Sequence, residues 1–289
     1  FNFVASVAHY AYLQQACADA GVEALGYIPK DESIVIPSRH LGLSIDETFC
    51  FDAFADRVAE VIDKTVNVDR LLELCTVEFS GEQTEDVVCS GNRKIAIARD
   101  EAFNFMYREN VEALKRAGEV VFFSPLRDKS LPEADMVYFP GGYPELHLAE
   151  LATNEGMRQS VRKYCETGGR VLAECGGMMY LCDTITGDDG KVYPMVGVLK
   201  QGATMEQMKL KLGYREVRVN GQRIRGHEFH YSRILPTNEK IPVIGTIYNA
   251  KDMVVDTPVY TYKNVLASYI HFYWGECGMD HFLMLMSQK

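Results

Sequence analysis

Gly169-Arg170-Val171-Leu172-Ala173-Glu174-Cys175-Gly176-Gly177-Met178-Met179-Tyr180 is the stretch from which the rest of the chain is read. An apolar run ends at a cysteine, two glycines follow at once, and apolar residues at helical spacing (Met178, Met179, Leu181, Cys182) begin. That order predicts a strand, a sharp turn and a helix, with a nucleophile at the apex. A side chain presented at such a turn needs a cramped backbone that neighbouring Cβ atoms would obstruct, which accounts for the glycines. The following helix would aim its first N–H groups and the positive end of its dipole at the sulfur. The pattern therefore predicts a Cys175 that favours thiolate over thiol.

Upstream of this stretch, strands are predicted over 94–98, 120–123 and 136–139, and helices over 103–117, 145–152 and 154–167. Strands alternating with helices argue for an α/β fold with a parallel sheet covered on both faces. Ligands of such sheets lie beyond the carboxyl ends of the strands, where both Gly141-Gly142 and Cys175 fall. After Gly197 the pattern turns strand-rich (214–219, 229–234, 243–248, 265–270), an antiparallel elaboration that carries His227, His230 and His271, and a closing helix is expected over 279–286. Residues 1–4 read as a strand, 10–20 as a helix ending at Gly21, 22–28 as a strand, 46–66 as a long amphipathic helix and 69–74 as a short helical turn. Phe1-Asn2-Phe3-Val4-Ala5 resembles the middle of a buried strand, so the chain reads as cut from something longer. Between Thr76 and Asn92 the composition becomes polar and acidic, the mark of a linker. Two bodies are expected, residues 1–80 and 93–289.

The 289 residues are enough for one large or two ordinary domains, and 47% apolar with 24% charged residues is an ordinary globular composition. A net charge of -10 argues against nucleic acid and anionic membranes as partners. No apolar run approaches the roughly 18 residues of a membrane span. None of the eight cysteines forms a C-x-x-C spacing, which predicts a reduced, cytosolic (cytoplasmic) protein whose cysteines are mostly small core residues.

A cysteine nucleophile needs a base, usually an imidazole. His271 ends the strand-like run Leu266-Ala267-Ser268-Tyr269-Ile270, a position from which a side chain reaches across a sheet edge; the alternative is a core histidine with satisfied hydrogen bonds. Gly141-Gly142 follows a strand and leaves backbone N–H groups bare, as an oxyanion hole requires, or is an ordinary turn. In His227-Glu228-Phe229-His230 an alternating strand puts His227 and Phe229 on one face and Glu228 and His230 on the other, so an acceptor-side or structural role ranks above a metal site. Arg39 and His40, between Pro37 and Gly42, offer a cation to phosphate or carboxylate, or are an ordinary solvated loop. No G-x-x-x-x-G-K-[ST] string occurs, and Gly187-Asp188-Asp189-Gly190-Lys191 is too short and too acidic to cradle phosphates.

Five strings taken together resemble one family, the cobyrinic acid a,c-diamide synthases. They are 37–43 (PSRHLGL), 139–147 (FPGGYPELH), 173–181 (AECGGMMYL), 225–232 (RGHEFHYS) and 267–271 (ASYIH), in that order. The resemblance implies a two-domain ligase. A P-loop domain related to dethiobiotin synthetase would activate carboxylates with ATP and Mg2+, and a flavodoxin-like class I glutamine amidotransferase domain with a mixed sheet would release ammonia from L-glutamine. The acceptor it implies is a corrinoid, cobyrinate, amidated at its a and c side chains in cobalamin biosynthesis. Carried over by position, Cys175 is the nucleophile, His271 its base, and Gly141, Gly142 and Gly176 the oxyanion and glutamine-binding segment. Arg39, His40, His227, Glu228 and His230 become candidates for the acceptor or interdomain side, and no residue is assigned to a metal. Two departures stand out. Many triad amidotransferases carry Glu two residues after the histidine, where this chain has Tyr273. The phosphate loop is also missing, so residues 1–80 resemble only the tail of the synthetase domain. Hydrogenobyrinate or a nickel sirohydrochlorin is the alternative acceptor, and a cysteine hydrolase or a non-catalytic binding module the alternative class.

Overall fold

Residue parity along three strands accounts for the main body of the molecule. In the computed structural model, which describes residues 4–36, 38–39, 42–43, 50–78, 92–237 and 240–274, the strands β3 (Arg93–Ala98), β5 (Met136–Phe139) and β6 (Arg170–Glu174) lie side by side and parallel. Ala96, Ala98, Val137, Phe139, Val171 and Ala173 face one buried apolar cluster, while Ile95, Ile97, Met136, Tyr138 and Leu172 face another. A sheet apolar on both faces has to be covered on both, and this one is. Its order is β14-β15-β6-β5-β3-β4, with β4 at Gly118–Phe123, β14 at Val259–Tyr262 and β15 at Val265–Ser268; only β14 runs antiparallel to its neighbour.

The chain divides into two compact units, Phe1–Thr84 and Glu85–Lys289. In the first, α1 (Val7–Asp19) starts at Ser6, whose hydroxyl accepts the His9 N–H, and stops beside Gly21 at φ 70°. A two-stranded ribbon, β1 (Ser38–Arg39) and β2 (Gly42–Leu43), precedes α2 (Phe51–Thr65) and α3 (Val68–Cys75). The strand expected over 22–28 is not formed. Its backbone makes only single bridges, Gly26 with Val66 and, just beyond it, Pro29 with Val4, because no described strand lies alongside to complete a ladder. Residues 79–91 of the expected linker, the closing helix at 279–286 and residues 1–3 of the first strand lie outside the described residues.

In the second unit the helix expected from Phe103 begins later, as α4 (Arg108–Ala117). The reason is Asp100, whose Oδ1 accepts the N–H groups of Ala102 and Phe103 at 3.0 and 3.1 Å and so turns the chain. Residues 100–107 then cross the carboxyl ends of the sheet, where Phe105 bridges Gly141. The 3-10 turn Pro144–Leu146, α5 (Leu148–Thr153) and α6 (Glu155–Glu166) lead back to β6, and α7 (Gly176–Leu181) follows it. α7 approaches β5 so closely that a Cβ on Gly177 would lie 2.3 Å from the Phe139 carbonyl oxygen.

Two four-stranded sheets complete the unit. One, β12-β9-β7-β8, uses β7 (Cys182–Thr186), β8 (Val192–Pro194), β9 (Leu199–Thr204) and β12 (Arg233–Ile234). The acidic Gly187–Lys191 string is the turn between β7 and β8, closed by the Gly187 N–H on the Lys191 carbonyl. The other, β13-β10-β11-β16, joins β10 (Lys211–Val219), β11 (Gln222–His230), β13 (Thr246–Asn249) and β16 (Ile270–Phe272), all antiparallel. β10 and β11 are a long hairpin around Asn220-Gly221, at φ 50° and 76°. The run expected as one strand over 229–234 is split between the two sheets, and that over 265–270 breaks at Tyr269.

Candidate active site

Cys175 sits between β6 and α7 with φ 47° and ψ -107°, a combination few non-glycine residues adopt. Its N–H donates to the Ser268 carbonyl at 2.7 Å, and its thiol points at the Phe229 carbonyl, 4.0 Å away. The residue is only 7% exposed, and that burial overrides the expected preference for thiolate. Desolvation and then the Glu145 carboxylate push the thiol well up, and the Gly176 N–H pulls against them. α7 is six residues long, too short for its terminus to reverse the balance. Cys175 rests as a thiol.

His271 is not at the end of β15, as the sequence suggested, but in the separate strand β16, paired directly with His227 of β11. Adjacent backbones tie it to the cysteine's neighbours: the Phe272 N–H donates to Glu174 Oε1 at 3.1 Å. Glu174 is itself buried, accepts the Tyr138 hydroxyl at 2.8 Å, and is pushed up to about 8 by desolvation. The imidazole of His271 is stacked on that of His227 (4.8 Å between centroids, 15° between planes) and meets the edge of Phe105 at 4.6 Å. Its Nδ1 is buried with no hydrogen-bond partner among the described residues. Desolvation, followed by the neighbouring His227 and His230, brings it down to about 3, so it too rests neutral.

The segment 141–144 joins these two residues. Gly141 lies under the His271 ring, where a Cβ would be 2.3 Å from Cε1. Gly142 and Pro144 lie against Gly176, whose own Cβ would meet Pro144 Cδ at 2.7 Å and the Gly142 carbonyl oxygen at 3.2 Å. The Gly141 carbonyl accepts the Phe105 N–H and the Tyr143 N–H donates to Ala102, but the Gly142 N–H between them meets no acceptor among the described residues. Glu145, half-buried on the same turn, is pushed up to about 7 by desolvation.

The alternation expected in His227-Glu228-Phe229-His230 is present, with different consequences on its two faces. His227 faces His271, and its Nδ1 shares a 2.6 Å hydrogen bond with the Tyr107 hydroxyl. Glu228 and His230 face inward and are buried. Glu228 accepts from Arg215 Nε (2.7 Å), Thr257 Oγ1 (2.9 Å) and His230 Nε2 (2.8 Å). Burial opposes the charge, yet His230, Lys211, Thr257 and Arg215 hold the carboxyl down at about 2. His230 also donates from Nδ1 to the Ser232 carbonyl and stacks on Tyr269 at 3.6 Å. Arg39 lies in β1, its side chain and all of His40 outside the described residues. Phe105, Tyr107 and the Phe229 carbonyl were not anticipated. For the first two, Asp100 directly after a strand was the available signal, since an Asp there starts a turn more readily than a helix.

Residues 94–278 match the sequence model of the CobB/CobQ-like glutamine amidotransferase domain. The chain is 33% identical over 290 residues to the cobyrinate a,c-diamide synthase of Salmonella typhimurium, covering 95% of this chain and 63% of that one. It is 36% identical over 274 residues to the hydrogenobyrinate a,c-diamide synthase of Pseudomonas aeruginosa, covering 94% and 62% respectively. It thus spans a little under two thirds of the length of these relatives. A solved structure described as a glutamine amidotransferase aligns over 67% of this chain and 99% of its own, at 23% identity and a TM-score of 0.44. Among the described residues no helix is long and apolar enough to cross a membrane.

Proposed function

This chain belongs to the CobB/CobQ-like glutamine amidotransferase family, and from that premise we propose that Cys175 and His271 release ammonia from L-glutamine. The observation that carries the reading is the segment 141–144, which packs against the His271 ring at one end and the residue after Cys175 at the other. Because both groups rest neutral, the proton moves as the bond forms. Cys175 Sγ attacks the side-chain amide carbon, and its proton passes to His271. The N–H groups of Gly142 and Gly176 hold the resulting oxyanion. The C–N bond breaks as His271 returns the proton to the leaving nitrogen, giving ammonia and a thioester. Water, deprotonated by His271, then adds to the thioester, and Cys175 leaves with the proton as glutamate is released.

The ammonia is used, in this proposal, by a longer protein that amidates the a and c carboxylates of a corrinoid. The relatives are named for cobyrinate and for hydrogenobyrinate, and groups that meet only glutamine do not choose between them. The residues present do not complete a site for ATP and Mg2+. The sequence has no phosphate-loop string, and the described glycines of residues 1–84 stand singly. The test is glutamate release by Cys175→Ala and covalent labelling by a diazoketone analogue of glutamine. Wild type should release glutamate and carry the label on Cys175, and the variant should do neither. Glutamate release by the variant at the wild-type rate would sink the assignment.

A further inference from the structure

Among the described residues no carboxylate is hydrogen-bonded to His271. Its Nδ1 is buried with no partner among them, and two residues further on stands Tyr273. Glu174, at the end of β6, is engaged by the Tyr138 hydroxyl and the Phe272 N–H instead. What fixes the ring is packing, by the stacked His227, the edge of Phe105 and the bare Cα of Gly141. His227 is in turn held by its 2.6 Å hydrogen bond to Tyr107, and Tyr107 stands edge-on to Tyr273 (5.5 Å, 86°). The residue at the position of the missing carboxylate thus reaches His271 through two intervening rings.

We propose that His227, pinned by Tyr107, is the positioning residue of His271, supplying by stacking the orientation that a carboxylate supplies by hydrogen bonding. The inference deepens the glutaminase reading and rests on it. A ring sandwiched on one face and blocked at its edge keeps one orientation, which is most of what a general base needs from its partner. A stacked neutral imidazole differs from a carboxylate in charge. It does not stabilise the imidazolium, so His271 stays a weak base that gives its proton back readily. The groups that set this balance are His227 and His230 on β11, Tyr107 behind His227, and Cys175 and Glu174 at the end of β6. Tyr107 is raised by desolvation and remains a neutral phenol, so it holds His227 without adding charge.

The test uses the full 289-residue chain with Tyr107→Phe, His227→Phe and His227→Ala. Two readouts are followed: glutamate release, and the pH profile of Cys175 alkylation by iodoacetamide, read on the Cys175 peptide. Loss of the stack in His227→Ala should lower kcat about 100-fold with KM for glutamine within about twofold, and should move the acid limb of both profiles to higher pH. His227→Phe keeps a stacked ring and should recover to within about fivefold of wild type, while Tyr107→Phe should lose about tenfold. If His227→Ala keeps kcat within twofold, or if activity falls only in proportion to the folded fraction with both profiles unmoved, His227 is scaffold and the proposal is wrong. If wild type releases no glutamate yet the alkylation profile still shifts in His227→Ala, the glutamine reading fails and the positioning stands. If wild type releases no glutamate and the alkylation profile of His227→Ala does not move either, both fail.

Discussion

Gly141→Ala is the sharpest test of the site's geometry. Gly141 is not among the positive-φ glycines, so its backbone accepts alanine and only the added methyl matters. That methyl would lie 2.3 Å from His271 Cε1 and 2.9 Å from Nδ1, where ordinary contact begins at 3.4 Å. The ring must therefore retreat by about 1.1 Å, the difference between 3.4 and 2.3 Å. Retreat is obstructed by His227, stacked at 4.8 Å, and by Phe105 at 4.6 Å. A displacement of about 1 Å at a catalytic group costs on the order of 100-fold in rate, or about 2.7 kcal/mol in the barrier. The assay is glutamate release with kcat and KM resolved, alongside thermal unfolding. kcat should fall about 100-fold with KM nearly unchanged and the folded state retained. A kcat within twofold of wild type would show that the His271 ring does not act where the structure puts it.

Glu228→Gln tests the buried network behind β11. A carboxyl ionised down to about 2 in the folded chain, against roughly 4.3 when unfolded, contributes on the order of 3 kcal/mol. Because the folded value is the lower one, that contribution is complete above about pH 4.3 and is lost as the pH falls toward 2. Urea unfolding should therefore show a deficit in the variant at pH 7 that narrows by pH 3, and an equal deficit at both would contradict the network. In the proposed glutaminase reaction the pH dependence follows from His271. Its neutral, proton-accepting form persists down to about 3, so kcat/KM should hold between pH 7 and pH 5, and an acid limb centred near 6.5 would refute the depressed value. Away from the site, cysteine reactivity should follow burial: Cys165 and Cys182, pushed up to about 12 by desolvation, should resist iodoacetamide while exposed Cys50 and Cys75 react. Equal labelling of Cys165 and Cys50 would contradict the core placement.

Local chemistry was the legible part of this chain. The turn at Cys175, the bare glycines at 141 and 142 and the alternation around His227 depend on neighbours within a few residues, and each is found where the sequence put it. What depends on distant partners was not legible. An apolar run over 22–28 reads as a strand, but strand formation needs a neighbour that the run does not specify. The pairing of His271 with His227 joins residues 44 positions apart and follows from a break at Tyr269 that no local signal marks. The thiolate expectation failed for a similar reason. The turn announces a dipole and N–H groups, whereas the opposing desolvation comes with burial among elements as distant as β11, whose Phe229 carbonyl faces the sulfur.

The β10–β11 hairpin carries a consequence for folding fidelity. One face of β11 needs an imidazole against His271, and the other needs Glu228 and His230 among Arg215, Thr257 and Tyr269. Side chains alternate along a strand, so a slip of one residue would exchange the two sets. Glu228 would then meet His271, and His227 would enter a cavity built for a carboxylate. The slip is opposed by the two-residue turn at Asn220-Gly221, six residues and about 20 Å along the strand from His227. One residue inserted into or deleted from that turn would change no group that meets glutamine, and would still misassemble the site.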